Sequence, residues 1–141
     1  MRDILKAIDY YLIKNEELKN LLSAYQGEPA IALRFAPSDM KTPYAVLNAS
    51  SNVPEDNEIH DRMILTVDIF TDNAEIITAA AIGDVIEVLM DDELIHPSLG
   101  LIIKKDSGPK IIPDEDISTI HLHLSFVVRY NNAKTRRKEV E

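Results

Sequence analysis

The stretch from Ser118 to Tyr130 constrains this chain more than any other. Apolar Ile120, Leu122, Leu124, Phe126, Val128 and Tyr130 alternate with Thr119, His121, His123, Ser125, Val127 and Arg129. A strict period of two puts the first set on one face of a β-strand and the second on the other. At roughly 3.3 Å per residue such a strand spans about 40 Å, long enough to project beyond the core of a small domain. It needs a neighbouring sheet for its edges and a covering layer for its apolar face.

The covering layer is legible upstream. Ile4, Leu5, Ile8, Tyr11 and Leu12 recur at helical spacing and make one apolar stripe. Lys14-Asn15-Glu16-Glu17 interrupts it, with Asn15 suited to an N-cap and the glutamates to the positive end of a new helix. Leu18, Leu21, Leu22 and Tyr25 give that short helix its buried side, and Gln26-Gly27-Glu28-Pro29 reads as its stop. A further helix carries Ile76, Ile77, Ala79, Ala80, Ala81, Ile82, Val85, Ile86, Val88, Leu89 and Met90. Asp72 and Glu75 stand before it as a D-x-x-E capping box, and His96-Pro97 marks its exit. Gly83 costs about 1 kcal/mol in a helix interior, which the Ala79-Ala80-Ala81 cluster explains if the helix lies close on a sheet.

Three strands are expected before that helix: Ala30–Ala36, Tyr44–Ala49 and Arg62–Phe70. In the third, Met63, Leu65, Val67 and Ile69 point one way and Ile64, Thr66, Asp68 and Phe70 the other. Ser50 to Asp61, with Pro54 and several acids, reads as a long loop of the kind that often carries function. After the helix, Leu99–Lys105, the turn Asp106-Ser107-Gly108-Pro109 and Ile111-Ile112 read as a small hairpin. The expected architecture is α+β: an antiparallel sheet of about four main strands, helices packed on one face, plus that small hairpin. Residues 1–132 form one domain, and 133–141 a charged tail that we expect to be disordered.

Charge narrows the partners. The formal net charge is −9 over 141 residues, and such a chain repels phosphate backbones. The basic cluster Lys134, Arg136, Arg137 and Lys138 lies in the tail without interleaved aromatics and reads as solvated. There is no cysteine, so disulfides, thiolate metal sites and thiol nucleophiles are excluded. Met-Arg-Asp-Ile lacks the layout of a signal peptide, and no apolar stretch approaches the roughly 20 residues of a membrane span; the expectation is a soluble protein made inside the cell.

No catalytic centre is evident. His121 and His123 share a strand face and could begin a metal site, yet Phe126, Val127 and Val128 stand where a cupin-type glutamate would follow. No third ligand is close in sequence, although His60 or Glu115 could arrive in space, so an ordinary polar strand face is the reading and neither metal nor cofactor is expected. Asp114-Glu115-Asp116 and Asp91-Asp92-Glu93 lack the spaced oxygen ligands of a calcium loop. Asp68 is the acid whose apolar setting hints at a shifted pKa, but its alternation puts it on the outer face with Thr66. Phosphate loops, G-x-S-x-G and H-E-x-x-H are all missing.

Several stretches together resemble a known family. They are the N-terminal amphipathic helix followed by "NEELKNLL", then "APSDMKTPYAVLNASS", "RMILTVDIFTDNAEIITAAAIGDVIEVLMD" and the terminal "IHLHLSFVVRY". This pattern is similar to that of the phage tail terminator, or tail completion, family of long-tailed bacteriophages and prophages. The resemblance covers about 130 residues and leaves out the basic tail.

It implies a structural protein, not an enzyme, that caps the tail tube and joins it to the head connector as a hexameric ring. Its partners would be further copies of itself, the tube protein and the head connector or head completion protein, with DNA passing through unbound. Its place would be the tail and neck of the virion, and the host cytoplasm during assembly. Ring-forming phage proteins use loops and sheet edges as subunit contacts, which makes Asp39, Met40 and Lys41 of the proline loop, and Asn52, Glu55 and Arg62 around the long loop, the interface candidates. Pro37 and Pro43 hold the ends of the first loop, and Met40 would be an apolar side chain on its exposed tip. A net charge of −9 would oppose premature self-association, and a closed ring needs heterologous contacts of the kind loops can supply. Two other readings remain: a metal-dependent enzyme built on His121 and His123, and another phage neck or baseplate binding module.

Overall fold

The computed structural model describes residues 2–54, 60–91, 102–113 and 118–131. Three helices lie on one face of a five-stranded sheet. Helix α1 spans Arg2–Ile13 and turns Ile4, Ile8 and Leu12 inward. Asn15 then caps α2 (Glu16–Leu21), its Oδ1 accepting from the Leu18 amide at 3.0 Å, with Glu16 and Glu17 in the first turn as expected. Helix α3 runs from Ile76 to Asp91 and buries Ala79, Ile82, Gly83, Ile86 and Met90. The His96-Pro97 exit lies outside the described residues.

The second helix stops earlier than its apolar spacing suggested. Leu22 is its C-cap, and Ala24–Tyr25 (β1) pairs with Glu28–Pro29 (β2) as a two-residue hairpin. Gln26 and Gly27 both have positive φ, 52° and 82°, the geometry of a tight hairpin turn. Gly27 therefore turns a hairpin and does not end a helix.

The main sheet has the order β3-β4-β5-β7-β6, with β3 Ile31–Leu33, β4 Tyr44–Pro54, β5 His60–Asp72, β6 Ile102–Ile112 and β7 Thr119–Asn131. It is mixed, not purely antiparallel, because β3 and β4 run parallel, with Ile31 beside Ala45 and Leu33 beside Leu47. A parallel neighbour requires the chain to be carried back along the strand. Since β3 has three residues, the segment 34–43 does this without a helix. The remaining pairings are antiparallel, and β5 and β7 stay in register from His60–Asn131 to Asp72–Thr119.

A segment expected as a long loop and another expected as a hairpin turn contain strand instead, with residues 55–59 and 99–101 outside the described residues. Most of Ser50–Asp61 belongs to β4 and β5, whose pairing continues to Pro54–Asp61 past a bulge between Ala49 and Asn52. Ladder hydrogen bonds come from the main chain, so polar Ser51 and Asn52 extend a strand as readily as apolar residues. Likewise Ile102–Ile112 is one irregular strand along β7 and not a hairpin. The Asp106-Ser107-Gly108-Pro109 sequence is absorbed by register shifts between Lys105, Ser107 and Lys110, with Gly108 at φ 92°. The capping box before α3 also differs: the Glu75 amide bonds the Asp72 main-chain oxygen, while the Asp72 carboxylate accepts the Thr42 hydroxyl at 2.8 Å.

The core lies between the helices and the sheet. Met63, Leu65, Val67 and Ile69 from β5 and Leu122, Leu124, Phe126 and Val128 from β7 meet Ile82, Ile86 and Met90, as both alternations require. A smaller cluster of Ala30, Ala32, Met40 and Val46 sits apart from it. The alternation of β3 and β4 puts Ala32 and Val46 on the face turned away from the helices. Residues 132–141, which hold the basic tail, lie outside the described residues.

Candidate functional site

The sheet face opposite the helices carries the polar chemistry of the chain. Register builds it row by row: Tyr44, Phe70 and His121 stand side by side, then Val46, Asp68 and His123, then Asn48, Thr66 and Ser125. In the first row the rings stack, Tyr44 on Phe70 at 5.1 Å and Phe70 on His121 at 4.4 Å between centroids. In the second, Asp68 lies across from His123 and diagonal to His121, within reach of both. Its Oδ1 stands 2.6 Å from His121 Nε2 and 2.7 Å from His123 Nδ1. In the third, the Ser125 and Ser107 hydroxyls meet at 2.7 Å and Ser125 Oγ also donates to Asp106 Oδ2. The expectation that His121 and His123 share a face holds, and the third group beside them, missed from sequence, is Asp68.

The proline loop closes one end of this face. Met40 is 9% exposed, packed with Ala30, Ala32 and Val46 and flanked by Tyr25, Ala36, Tyr44 and Phe70. The expectation of an exposed apolar tip is therefore corrected: the methionine holds the loop down onto the sheet, because the parallel return of the chain crosses the otherwise bare Ala32–Val46 surface. Tyr25 Oη donates to Asp39 Oδ1 at 3.0 Å, and Ser23 Oγ donates to the Lys41 main-chain oxygen at 2.5 Å. The Asp39 carboxylate raises the Tyr25 phenol above its usual pKa through that hydrogen bond, with desolvation second. With Thr42 bonded to Asp72 and the Met40 amide to Pro37 O, the loop is tied along its length.

Of the interface candidates, Asp39 and Lys41 are exposed on the loop and Arg62 is exposed on β5. Asn52 is in β4, opposite Met63. Glu55 lies outside the described residues, as does Glu115, named above as a distant metal ligand.

On the helix side, a cleft of about 460 Å³ opens between α3 and β6 beside Asp84, Glu87, Val88 and Lys105. Lys105 Nζ bonds Glu87 Oε1 there at 2.7 Å, tying the edge strand to the helix. No helix among the described residues is long and apolar enough to cross a membrane.

This architecture, three helices on one side of a mixed sheet with a long strand pair at its centre, occurs in solved structures. A chain from the virion of a native gene transfer agent particle superposes with a TM-score of 0.71 at 17% identity, covering 89% of this chain and 92% of that one. The gp17 protein of bacteriophage SPP1 superposes with a TM-score of 0.55 at 21% identity, covering 92% of this chain and 88% of its own. The fold is shared with both. No protein-family model matches the chain, and no curated protein matches it in sequence.

Proposed function

We propose that this chain is a structural component of a phage or phage-like particle, acting at the end of the tail as a tail terminator. The observation that carries the reading is the 0.71 TM-score over nine-tenths of both chains with a chain of a gene transfer agent virion. The likeness to a protein of bacteriophage SPP1 supports it, as does the resemblance of the proline loop and the strand-to-α3 passage to the tail terminator family. In this reading the protein works by contact and not by catalysis.

Copies of the chain close a ring, six by the family resemblance, that caps the tail tube and meets the head connector while DNA passes through. It joins the virion at the tail and neck after assembling in the host cytoplasm. Exposed Asp39 and Lys41 on the tied loop and Arg62 on β5 offer charges of opposite sign, the arrangement that a heterologous contact uses. By the family resemblance, Asn52 of β4 and Glu55 extend that contact. Met40 takes part by holding the loop in shape.

The test is to mix the purified protein with purified tail tubes and examine the ends by negative-stain microscopy. Capped ends and ring views support the reading; bare tubes in the presence of excess folded protein overturn it. Charge reversals at Lys41 and Arg62 should each leave thermal unfolding unchanged and reduce capping, and reversal at Asp39 should reduce capping while also loosening the tie to Tyr25.

A further inference from the structure

The geometry points to a binding site for a divalent transition-metal ion, zinc-like in its preference, formed by Asp68, His121 and His123. This goes beyond the assembly role and does not depend on it. Two imidazole nitrogens and one carboxylate oxygen converge, all within 4.8 Å of one another. They come from adjacent strands paired without a shift from His60–Asn131 to Asp72–Thr119, so the main chain already fixes their separation. Sites on such rigid elements hold their geometry better than sites on loops. The Phe70 ring, stacked on His121, sets the plane of one ligand.

The donor set selects the ion. Two imidazoles with one carboxylate suit zinc, cobalt, nickel or copper, whereas magnesium and calcium favour all-oxygen shells. Three protein ligands leave a further position open to water, and these side chains keep about a fifth of their surface accessible, 19%, 21% and 22% for His121, His123 and Asp68.

His121 Nε2 and His123 Nδ1 both meet the same carboxylate oxygen, at 2.6 and 2.7 Å. Around a tetrahedral ion with bonds of about 2.05 Å, neighbouring donor atoms stand about 3.3 Å apart. Entry of the ion therefore moves each imidazole nitrogen about 0.6–0.7 Å further from the Asp68 oxygen, within the reach of side-chain rotation. As ligands, Nε2 of His121 and Nδ1 of His123 must be free of protons, so each neutral ring carries its proton on the nitrogen turned away from Asp68.

The experiment uses the full chain and the metal alone. Titration with zinc chloride, followed calorimetrically, should show one equivalent taken up in the micromolar range. Asp68→Asn and His123→Ala should each weaken uptake by at least the roughly 10- to 100-fold seen when outer partners of metal ligands are lost. A His60→Gln, His96→Gln double variant should bind as the parent does. Since a variant could lose its fold, the unmodified protein is also titrated with cobalt chloride and followed by amide NMR. Paramagnetic broadening should centre on residues 68, 121 and 123. Zinc uptake unchanged in both ligand variants, broadening centred elsewhere, or no uptake at submillimolar metal would each overturn the assignment.

Discussion

Gly83 of α3 faces Leu122 of β7 so closely that a Cβ on the glycine would stand 3.0 Å from Leu122 Cδ2. The helix can approach the sheet this nearly because it has no side chain there. Two effects oppose each other in Gly83→Ala: about 1 kcal/mol of helix propensity gained, and a shift of the flexible Leu122 tip by a few tenths of an ångström. They nearly cancel, so the melting temperature should stay within about 2 °C of the parent. Gly83→Leu has no such escape, because Leu124 Cδ1 and Ile69 Cδ1 also stand only 3.6 and 3.8 Å from that Cβ. Overpacking of this kind costs about 1–3 kcal/mol, and a melting temperature unchanged in the leucine variant would refute the close seating of α3.

Gly108 is a different case, decided by the main chain. It sits at φ 92°, and a Cβ would collide with the His123 carbonyl oxygen and stand 3.0 Å from Leu124 Cα. Neither neighbour can rotate aside. Gly108→Ala should therefore destabilise by about 2 kcal/mol or more, with the earliest loss of amide-exchange protection along Ile102–Ile112. Unchanged protection in that strand would mean the irregular stretch does not pack on β7 as described.

Met40 supports a prediction that inverts the one its sequence setting suggests. On an exposed loop tip, Met40→Asp would be silent for folding. Placed against Ala30, Ala32 and Val46, the same change buries a carboxylate among small apolar groups, and Met40→Ala removes their cover. The alanine variant should lose about 2 kcal/mol and the aspartate variant more, measured by urea denaturation. Full stability of Met40→Asp would return the methionine to the surface.

How far the sequence carries is clear from β5 and β7. Their strict alternation shows which residues enter the core, and both faces are as expected. It cannot show register, and register alone puts Asp68 across from His123 and diagonal to His121. A shift of two residues would preserve every buried position and separate the trio. The proline loop was legible as a stiff connection, but not as a parallel crossover, because residues 34–43 carry no mark of the direction they return in. Gln26-Gly27 was ambiguous for a related reason: glycine after an apolar helical stripe ends helices and turns hairpins with the same positive φ. The polar run after Ala49 misled because polarity reports exposure, and an exposed residue can still pair through its main chain.

Asp9 supplies a prediction in pH. Its Oδ1 is buried without a hydrogen-bond partner among the described residues. Burial, with the nearby Glu28 charge second, raises its pKa from 3.8 to about 6. The folded protein thus keeps this proton to a higher pH than the unfolded chain does. Stability from this group is greatest below about pH 4, falls as the pH rises towards 6, and levels off above it. Asn at this position carries no charge to desolvate, so Asp9→Asn should be more stable than the parent at pH 7.5 and equal to it near pH 3.5. A sealed carboxylate with this shift would give about 3 kcal/mol. Asp9 is only half-buried, and solvent screening reduces the expected gain to about 1 kcal/mol. Thermal melts of both proteins across that range check the sign: a gain that shrinks as the pH rises would contradict a raised Asp9, whereas a gain appearing between pH 4 and 6 identifies the carboxylate as the group responsible.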